Sequence, residues 1–341
     1  MRRVVGVWPY CRHMSARRDQ WNPTSLPAQT GRAFLVTGSN AGLGYFASEQ
    51  LARAGAHVIM SGRNPNRLAA ARAAIGRRVP DASVETLLLD TSNLGSVRAA
   101  AASVGGRARL DGVLLNAGIV HPPRTREVTG DGNELVLATN VLGHFALAGA
   151  LLPVLARAEL PARMVWLGSI STAMWSYDPV DPQLEQDYSP WRAYVQSKVI
   201  AQALGFEADR RLRAHGLAVR SLVAHPGYSV SGRTPGIRGV NEPTRGARFV
   251  DNLQAAVTQS KERGAWAPVR ALIDPDAEGG TFWGPKGGLR GMPRTARPAA
   301  LTADPARGER LWAFCEEATA VQWPSDRGSS ERRRWRRRSG R

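Results

Sequence analysis

Tyr194 and Lys198 stand four residues apart in a stretch, 191–215, whose apolar residues recur at helical spacing, so the two side chains share one helix face. A phenol with an ordinary pKa of about 10 is a poor base at neutral pH, and an adjacent ammonium stabilises the phenolate and lowers that pKa. Ser169 lies 25 residues before Tyr194, at the end of a short apolar run. Its hydroxyl could donate a hydrogen bond to a carbonyl oxygen beside the phenol that transfers the proton. A Tyr–Lys pair at this spacing is common on ordinary helix surfaces, so its meaning depends on what positions it.

The elements that would position it alternate regularly. Short β-branched or apolar runs at 33–37, 57–60, 84–89, 112–115, 163–167 and 218–224 read as strands, and 42–54, 66–75, 96–104, 135–158 and 191–215 read as helices. Strands separated by helical crossovers predict a doubly wound α/β (Rossmann) fold, a parallel sheet covered on both faces, in one domain over 21–325. Beyond Tyr228 the pattern gives way to Gly, Pro and Arg. Helices at 246–260 and 305–320 and a strand near 281–283 are predicted there, in a lid-like segment over about 229–320.

In such a sheet, ligands bind at the carboxyl ends of the strands, near the point where strand order reverses. The unusual glycines and polar residues of this chain cluster there. After the first strand, Thr37-Gly38-Ser39-Asn40-Ala41-Gly42-Leu43-Gly44 provides a tight turn and close backbone approach to a pyrophosphate at a helix N-terminus. The spacing is G-x-x-x-G-x-G, not the commoner G-x-G-x-x-G. The second strand ends in Ser61-Gly62-Arg63-Asn64. The acidic residue that would bind the ribose hydroxyls of NAD is missing, and Arg63 suits the 2′-phosphate of NADP, so NADP(H) is expected ahead of NAD(H). Asp90-Thr91 offers a carboxylate to an adenine amine. Asn116-Ala117-Gly118 and Pro226-Gly227 are places for backbone to lie against a cofactor. Any one of these alone reads equally as a turn.

Composition bounds the rest. With 341 residues, 43% hydrophobic and 22% charged, the chain is neither disordered nor collagen-like. The formal charge of +18 is concentrated at the ends, with five Arg against one Asp in 1–20 and eight Arg against one Glu in 327–341. The segments 1–20 and 326–341 read as disordered tails. Residues 332–338, with Trp335 at their centre, could meet phosphates and stack on bases. Arg outnumbers Lys throughout, however, and a solvated tail without a nucleic-acid partner is the preferred reading. Cys11 and Cys315 cannot build a disulfide framework, which suits a reducing, cytoplasmic compartment. The apolar run 141–156 contains His144 and Pro153, falls short of the roughly 20 residues of a membrane span, and reads as a buried helix. No histidines stand at metal-ligand spacing, so no metal is expected; His57 and His144 read as packing residues.

Taken in order, Thr37-Gly38-x-x-x-Gly42-x-Gly44, Asn116-Ala117-Gly118, Ser169, Tyr194-x-x-x-Lys198 and Pro226-Gly227 resemble the short-chain dehydrogenase/reductase family over roughly residues 30–230. Asp131-Gly132-Asn133-Glu134, Thr139-Asn140-Val141-Leu142-Gly143-His144-Phe145 and Tyr188-Ser189-Pro190-Trp191-Arg192-Ala193-Tyr194 look like the branch with retinol dehydrogenases and protochlorophyllide reductase. Gly280-Thr281-Phe282-Trp283-Gly284-Pro285 and Arg310-Leu311-Trp312 resemble bacterial relatives of that branch.

The resemblance implies hydride transfer between a nicotinamide cofactor and a carbonyl or alcohol; Arg63 makes NADP(H) the expected cofactor, and the substrate is expected to be small to medium and apolar. Tyr194 would be the general acid/base, Lys198 would lower its pKa and bind the nicotinamide ribose, and Ser169 would polarise the carbonyl. Asn140 would hold a water on the proton path to Lys198. Gly38, Ser39, Asn40, Gly42, Leu43 and Gly44 would surround the pyrophosphate, with Pro226-Gly227 at the nicotinamide edge. Pairing through the helices that carry Asn140 and Tyr194, as a dimer or tetramer, is expected by analogy. The chain departs from the family where Leu115 and Gly168 replace the first of its paired Asn and paired Ser, and where Ser231 stands for a frequent Thr. His121-Pro122-Pro123, Trp175, Tyr177 and Tyr228 are candidates for an apolar pocket. The rival reading is a cofactor-sensing protein without turnover, against which the intact Ser169, Tyr194 and Lys198 argue.

Overall fold

A computed structural model describes residues 21–175 and 177–323; the basic tails expected at 1–20 and 326–341, and Cys11, lie outside the described residues. The strands follow from their side chains. β1 (Ala33–Val36) and β4 (Gly112–Leu115) are apolar runs, and β5 (Ala162–Leu167) is apolar but for Arg163, whose guanidinium donates to the Leu272 carbonyl; all three lie in the middle of the sheet, as parallel strands covered on both faces require. β2 (His57–Gly62) and β6 (Val219–Ala224) flank them, and β3 (Val84–Leu88), only partly covered, forms one edge. β9 (Phe282–Pro285) and β10 (Pro293–Ala296) extend the other side. The eight-stranded order is β10-β9-β6-β5-β4-β1-β2-β3. All neighbours run parallel except β10, which pairs antiparallel with β9 and was not anticipated. Strand order reverses between β1 and β4, so the crevice lies beyond Val36 and Leu115. A separate parallel pair joins β7 (Ser229–Val230) to β8 (Gln259–Ser260).

One face of the sheet carries α1 (Gly42–Arg53), α2 (Pro65–Arg78) and α10 (Trp266–Ile273), packed on Phe34, Val36, Met60 and Leu222. The other carries α3 (Leu94–Gly105), α5 (Gly143–Leu155), α7 (Pro190–Ala214) and α12 (Pro305–Thr319). Phe145 of α5 meets Trp312 of α12 edge to face at 4.9 Å, and Trp312 meets Trp323 at 4.7 Å, which ties the C-terminal helix into the core. Short helices α4 (Leu135–Leu137), α6 (Ser171–Met174), α8 (Arg245–Leu253), α9 (Lys261–Gly264) and α11 (Ala300–Ala303) complete the order.

Three expectations change. The long helix near 135–158 is not uniform: a π-helical turn, Ala138–Leu142, separates α4 from α5 and carries Asn140. Taken together, Leu135–Leu155 has 21 residues and is long and apolar enough to span a bilayer, contrary to the shorter bounds drawn from 141–156. Of its most apolar 18-residue stretch, 78% is buried within this fold, as in a core helix. The helix expected at 246–260 ends at Leu253. Gln259–Ser260 pair with β7, and Arg233 donates to the carbonyls of Ala255 and Thr258, so that backbone is held outside a helix.

Candidate active site

β5 delivers Ser169 just beyond its last residue, and α7 delivers Tyr194 and Lys198. Ser189 caps α7 by accepting from the Arg192 N–H at 3.2 Å, and Pro190 supplies a preset first turn. Tyr194 Oη then lies 3.2 Å from Ser169 Oγ. Ser171 donates to Ser169 Oγ from its N–H at 3.2 Å and from its hydroxyl at 2.9 Å. Tyr194 donates to the same oxygen, so Ser169 Oγ serves as the acceptor of this cluster and its single proton is left for a substrate oxygen. Gln202 Oε1 holds the Ser169 backbone by accepting its N–H at 2.9 Å. Neither Ser171 nor Gln202 stood out in the sequence, because each acts through Ser169.

Lys198 is buried one turn beyond Tyr194 and donates to the Leu167 carbonyl at 2.9 Å. Burial brings its pKa down to about 8. Burial also raises the Tyr194 pKa above its ordinary value, partly offset by the Ser169 hydrogen bond. The Lys198 ammonium is aimed at the Leu167 carbonyl, and its hydrogen bond goes there and not to the phenol.

Asn140 is also buried, but its side chain is a tie. Nδ2 donates to Ser197 Oγ at 2.9 Å and to the Ile119 carbonyl at 3.2 Å, and Oδ1 accepts from the Ile119 N–H at 2.7 Å. Ser197 in turn donates to the Tyr194 carbonyl at 2.7 Å. The loop after β4 is thereby fastened to the turn that carries Tyr194.

His144 is more than a packing residue. Its Nδ1 is 3.2 Å from the Asn140 carbonyl and its Nε2 is 2.9 Å from Thr37 Oγ1. A carbonyl can only accept, so Nδ1 carries the proton and Nε2 accepts from Thr37. Thr37 Oγ1 accepts from the N–H groups of Asn116 and Ala117 at 2.8 and 2.9 Å. Burial, with a smaller contribution from the charge of Lys198, pushes His144 down to about 3 against the Asn140 hydrogen bond, so the ring is neutral. This chain of contacts joins the Asn140 turn to the glycine turn; the signal in the sequence was a histidine four residues after Asn140, on the same helix face.

The glycine turn is packed from inside. Gly38 has φ +64°, and a methyl group on it would lie 2.8 Å from Ala117 Cα. A methyl group on Gly44 would lie 2.5 Å from both Asn116 Nδ2 and the Gly38 carbonyl. Asn116 Nδ2 itself donates to the Thr37 carbonyl at 2.7 Å, and Ser39 Oγ to the Ser61 carbonyl at 3.2 Å, so both side chains brace the turn.

What the turn leaves open is the start of α1. Its cap, Ala41, has no acceptor side chain and the first turn has no acidic residue, whereas Asn64, Asn93 and Ser189 cap α2, α3 and α7. Free N–H groups at a helix start, with Gly42 and Leu43 beside them, fit the pyrophosphate of a dinucleotide. Asn40 Oδ1 lies 3.1 Å from where a methyl group on Gly62 would stand, and Arg63 is exposed beside it, without a hydrogen bond or ion pair among the described residues. Asp90 Oδ1 accepts from the Ser92 N–H at 3.0 Å and hydroxyl at 2.6 Å, and Thr91 is buried against Gly143, where a side chain would overlap its carbonyl. Gly118 faces Asn140. Gly227, after Pro226, has φ +64°, and a side chain on it would overlap the Leu289 carbonyl; its smallness serves that internal contact.

Trp175 and Trp191 stand edge to face at 4.9 Å, and the Trp191 ring is 5.8 Å from that of Tyr194. They form an exposed aromatic wall beside the hydroxyl pair; Trp191 is an addition to the expected apolar set. Tyr177 lies instead under Arg192, and Tyr228 bonds Gln254. On the other side, Ser169, Thr172, His225, Phe282, Pro285 and Arg294 line a cavity. His225 is stacked on Phe282 at 5.1 Å and pushed down to about 4 by burial, hence neutral.

Residues 32–179 match the short chain dehydrogenase family. The chain is 34% identical to polyprenol dehydrogenase of Mus musculus over 303 residues, 87% of this chain and 86% of that protein. It is 30% identical to retinol dehydrogenase 13 of Homo sapiens over 303 residues, 87% of each. The crystal structure of an uncharacterized protein from Mycobacterium paratuberculosis matches with a TM-score of 0.71 and 32% identity, over 89% of this chain and 99% of that one. With likeness of that extent on both counts, this chain belongs to the short-chain dehydrogenase/reductase family, on its retinol dehydrogenase-like branch.

Proposed function

We propose that the protein transfers a hydride between NADP(H) and an apolar carbonyl or alcohol, with Tyr194 as general acid/base. The observation that carries this reading is the 3.2 Å contact between Tyr194 Oη and Ser169 Oγ at the carboxyl end of β5. When bound, the nicotinamide supplies the hydride for reduction and accepts it in the reverse direction. Tyr194 gives its proton to the carbonyl oxygen as charge develops there, and Ser169 directs its own proton to the same oxygen. Lys198, with a pKa of about 8, stands behind Tyr194 as a group able to exchange protons close to neutral pH. Asn40, Gly42, Leu43 and Gly44 would hold the pyrophosphate, and Arg63 the 2′-phosphate. Trp175 and Trp191 favour an apolar substrate, in keeping with the polyprenol and retinol named for the relatives.

The test is a panel of aliphatic, aromatic and isoprenoid aldehydes offered with NADPH or NADH, with nicotinamide absorbance followed over time. Oxidation of NADPH by an apolar aldehyde, faster than that of NADH, supports the reading. Binding of NADPH without oxidation by any aldehyde, and without reduction of NADP by the matching alcohols, contradicts it.

A further inference from the structure

Lys261 comes to the start of α1 from the far end of the chain. β7 runs on from Pro226-Gly227 and pairs with β8, and Lys261 is the next residue after β8. Its N–H donates to Thr234 Oγ1 at 2.9 Å, and Ser260 caps the short α9 by accepting from the Arg263 N–H at 3.2 Å. Gln50 of α1 donates to the Glu262 carbonyl at 2.9 Å, and a methyl group on Gly264 would lie 2.8 Å from Leu43 Cδ2. The Lys261 backbone is thus held by β7, by Thr234 and by α1 itself.

Its side chain reaches over the first residue of that helix. A methyl group on Gly42 would lie 3.7 Å from Lys261 Cδ and 3.9 Å from Nζ. The side chain is partly buried, and Nζ has no hydrogen bond or ion pair among the described residues. Asp251, whose charge reaches it, accepts from the Gly232 N–H at 2.6 Å. An ammonium beside the positive end of a helix whose cap offers no acceptor is repelled unless an anion lies between them. The residue type fits too: in a chain with 46 Lys and Arg, only Lys198, Lys261 and Lys286 are lysines. An ammonium is a compact point charge suited to a phosphate oxygen.

We propose that Lys261 is a ligand of the dinucleotide's pyrophosphate, closing from the β7–β8 pair onto the anion held by the N-terminus of α1. The assignment rests on the reading that this site takes a dinucleotide. It means that the C-terminal segment completes the cofactor site and does not only shape the substrate side.

The test is calorimetric titration of the full chain and of Lys261→Met and Lys261→Arg with NADPH, NADH and ADP-ribose, at two salt concentrations. ADP-ribose keeps the pyrophosphate and lacks the nicotinamide. Lys261→Met is expected to weaken all three by a similar factor, roughly tenfold or more, and to make binding less salt-dependent. Lys261→Arg should retain most of the affinity. Thermal unfolding of the unliganded variants checks that both are folded; where Lys261→Met is not, Lys261→Gln takes its place. Wild-type binding of all three ligands with a folded charge-removing variant within twofold overturns the assignment and leaves the dinucleotide reading intact. A wild type that binds none of them overturns both.

Discussion

Gln202 occupies the space that a side chain on residue 168 would need: a methyl group on Gly168 would lie 2.6 Å from Gln202 Oε1 and 2.9 Å from its Cδ. The same oxygen accepts from the Ser169 N–H at 2.9 Å and from Thr172 Oγ1 at 3.2 Å. The departure from the family's paired serines is therefore compensated. Glycine at 168 admits the amide, and the amide fixes the backbone of Ser169.

Gln202→Ala leaves the buried Ser169 N–H without an acceptor and opens a cavity. It should lower stability by about 2–4 kcal/mol and reduce turnover as Ser169 loses its position. Adding Gly168→Ser should restore part of both, a coupling visible in urea denaturation of the two singles and the double. Strict additivity would contradict the shared-space account.

Arg63 is exposed at the end of β2 with no protein partner among the described residues. Arg63→Ala should weaken NADPH binding by about 10–100-fold, as expected for a lost charge-assisted contact. NADH binding should change little. Equal weakening of both would mean that Arg63 does not meet the 2′-phosphate.

Much of this was legible in the chain, for a physical reason. Central parallel strands are buried on both faces, so Val113–Leu115 and Met164–Leu167 appear as apolar runs between turns, and the observed strands fall close to the expected ones. The segment after Tyr228 was opaque because little of it is periodic. β7 and β8 have two residues each, and arginines hold the loops through backbone carbonyls, as Arg233 and Arg290 do at Ala255 and Arg270 does at Pro293. Spacing put Tyr194 and Lys198 on one face but could not show that Lys198 points to Leu167. The role of His144 rests on its contacts with Thr37 and Asn140, which the hydrophobic pattern of the helix does not reveal.

His144 and His225 are held neutral by burial, with pKa values near 3 and 4 against an ordinary value of 6.5. Below pH 6.5 the unfolded chain takes up protons at these positions that the folded chain refuses. Stability should therefore be fullest above that pH and fall as pH drops toward 4, by about 3 kcal/mol for His225 alone. His144→Gln should be less stable at neutral pH yet show a shallower acid limb, by close to one proton. An unchanged slope in denaturation measured across this range would contradict the neutral His144.

Tyr194 has a raised pKa, so at neutral pH it is poised to give a proton and not to take one. Carbonyl reduction should be fast and nearly flat around neutrality, while alcohol oxidation should climb as pH rises into the alkaline range. Rate profiles measured in both directions check this. An oxidation rate that is level across the alkaline range would contradict Tyr194 as the base.

The most direct test of the central claim compares the wild type with Tyr194→Phe on an accepted aldehyde, measuring NADPH affinity and single-turnover hydride transfer in the same samples. The account predicts hydride transfer slowed by about 10²–10⁴-fold with NADPH affinity within about twofold, because the phenol supplies the proton and little of the binding. Hydride transfer at the wild-type rate in the folded, NADPH-bound variant would contradict it.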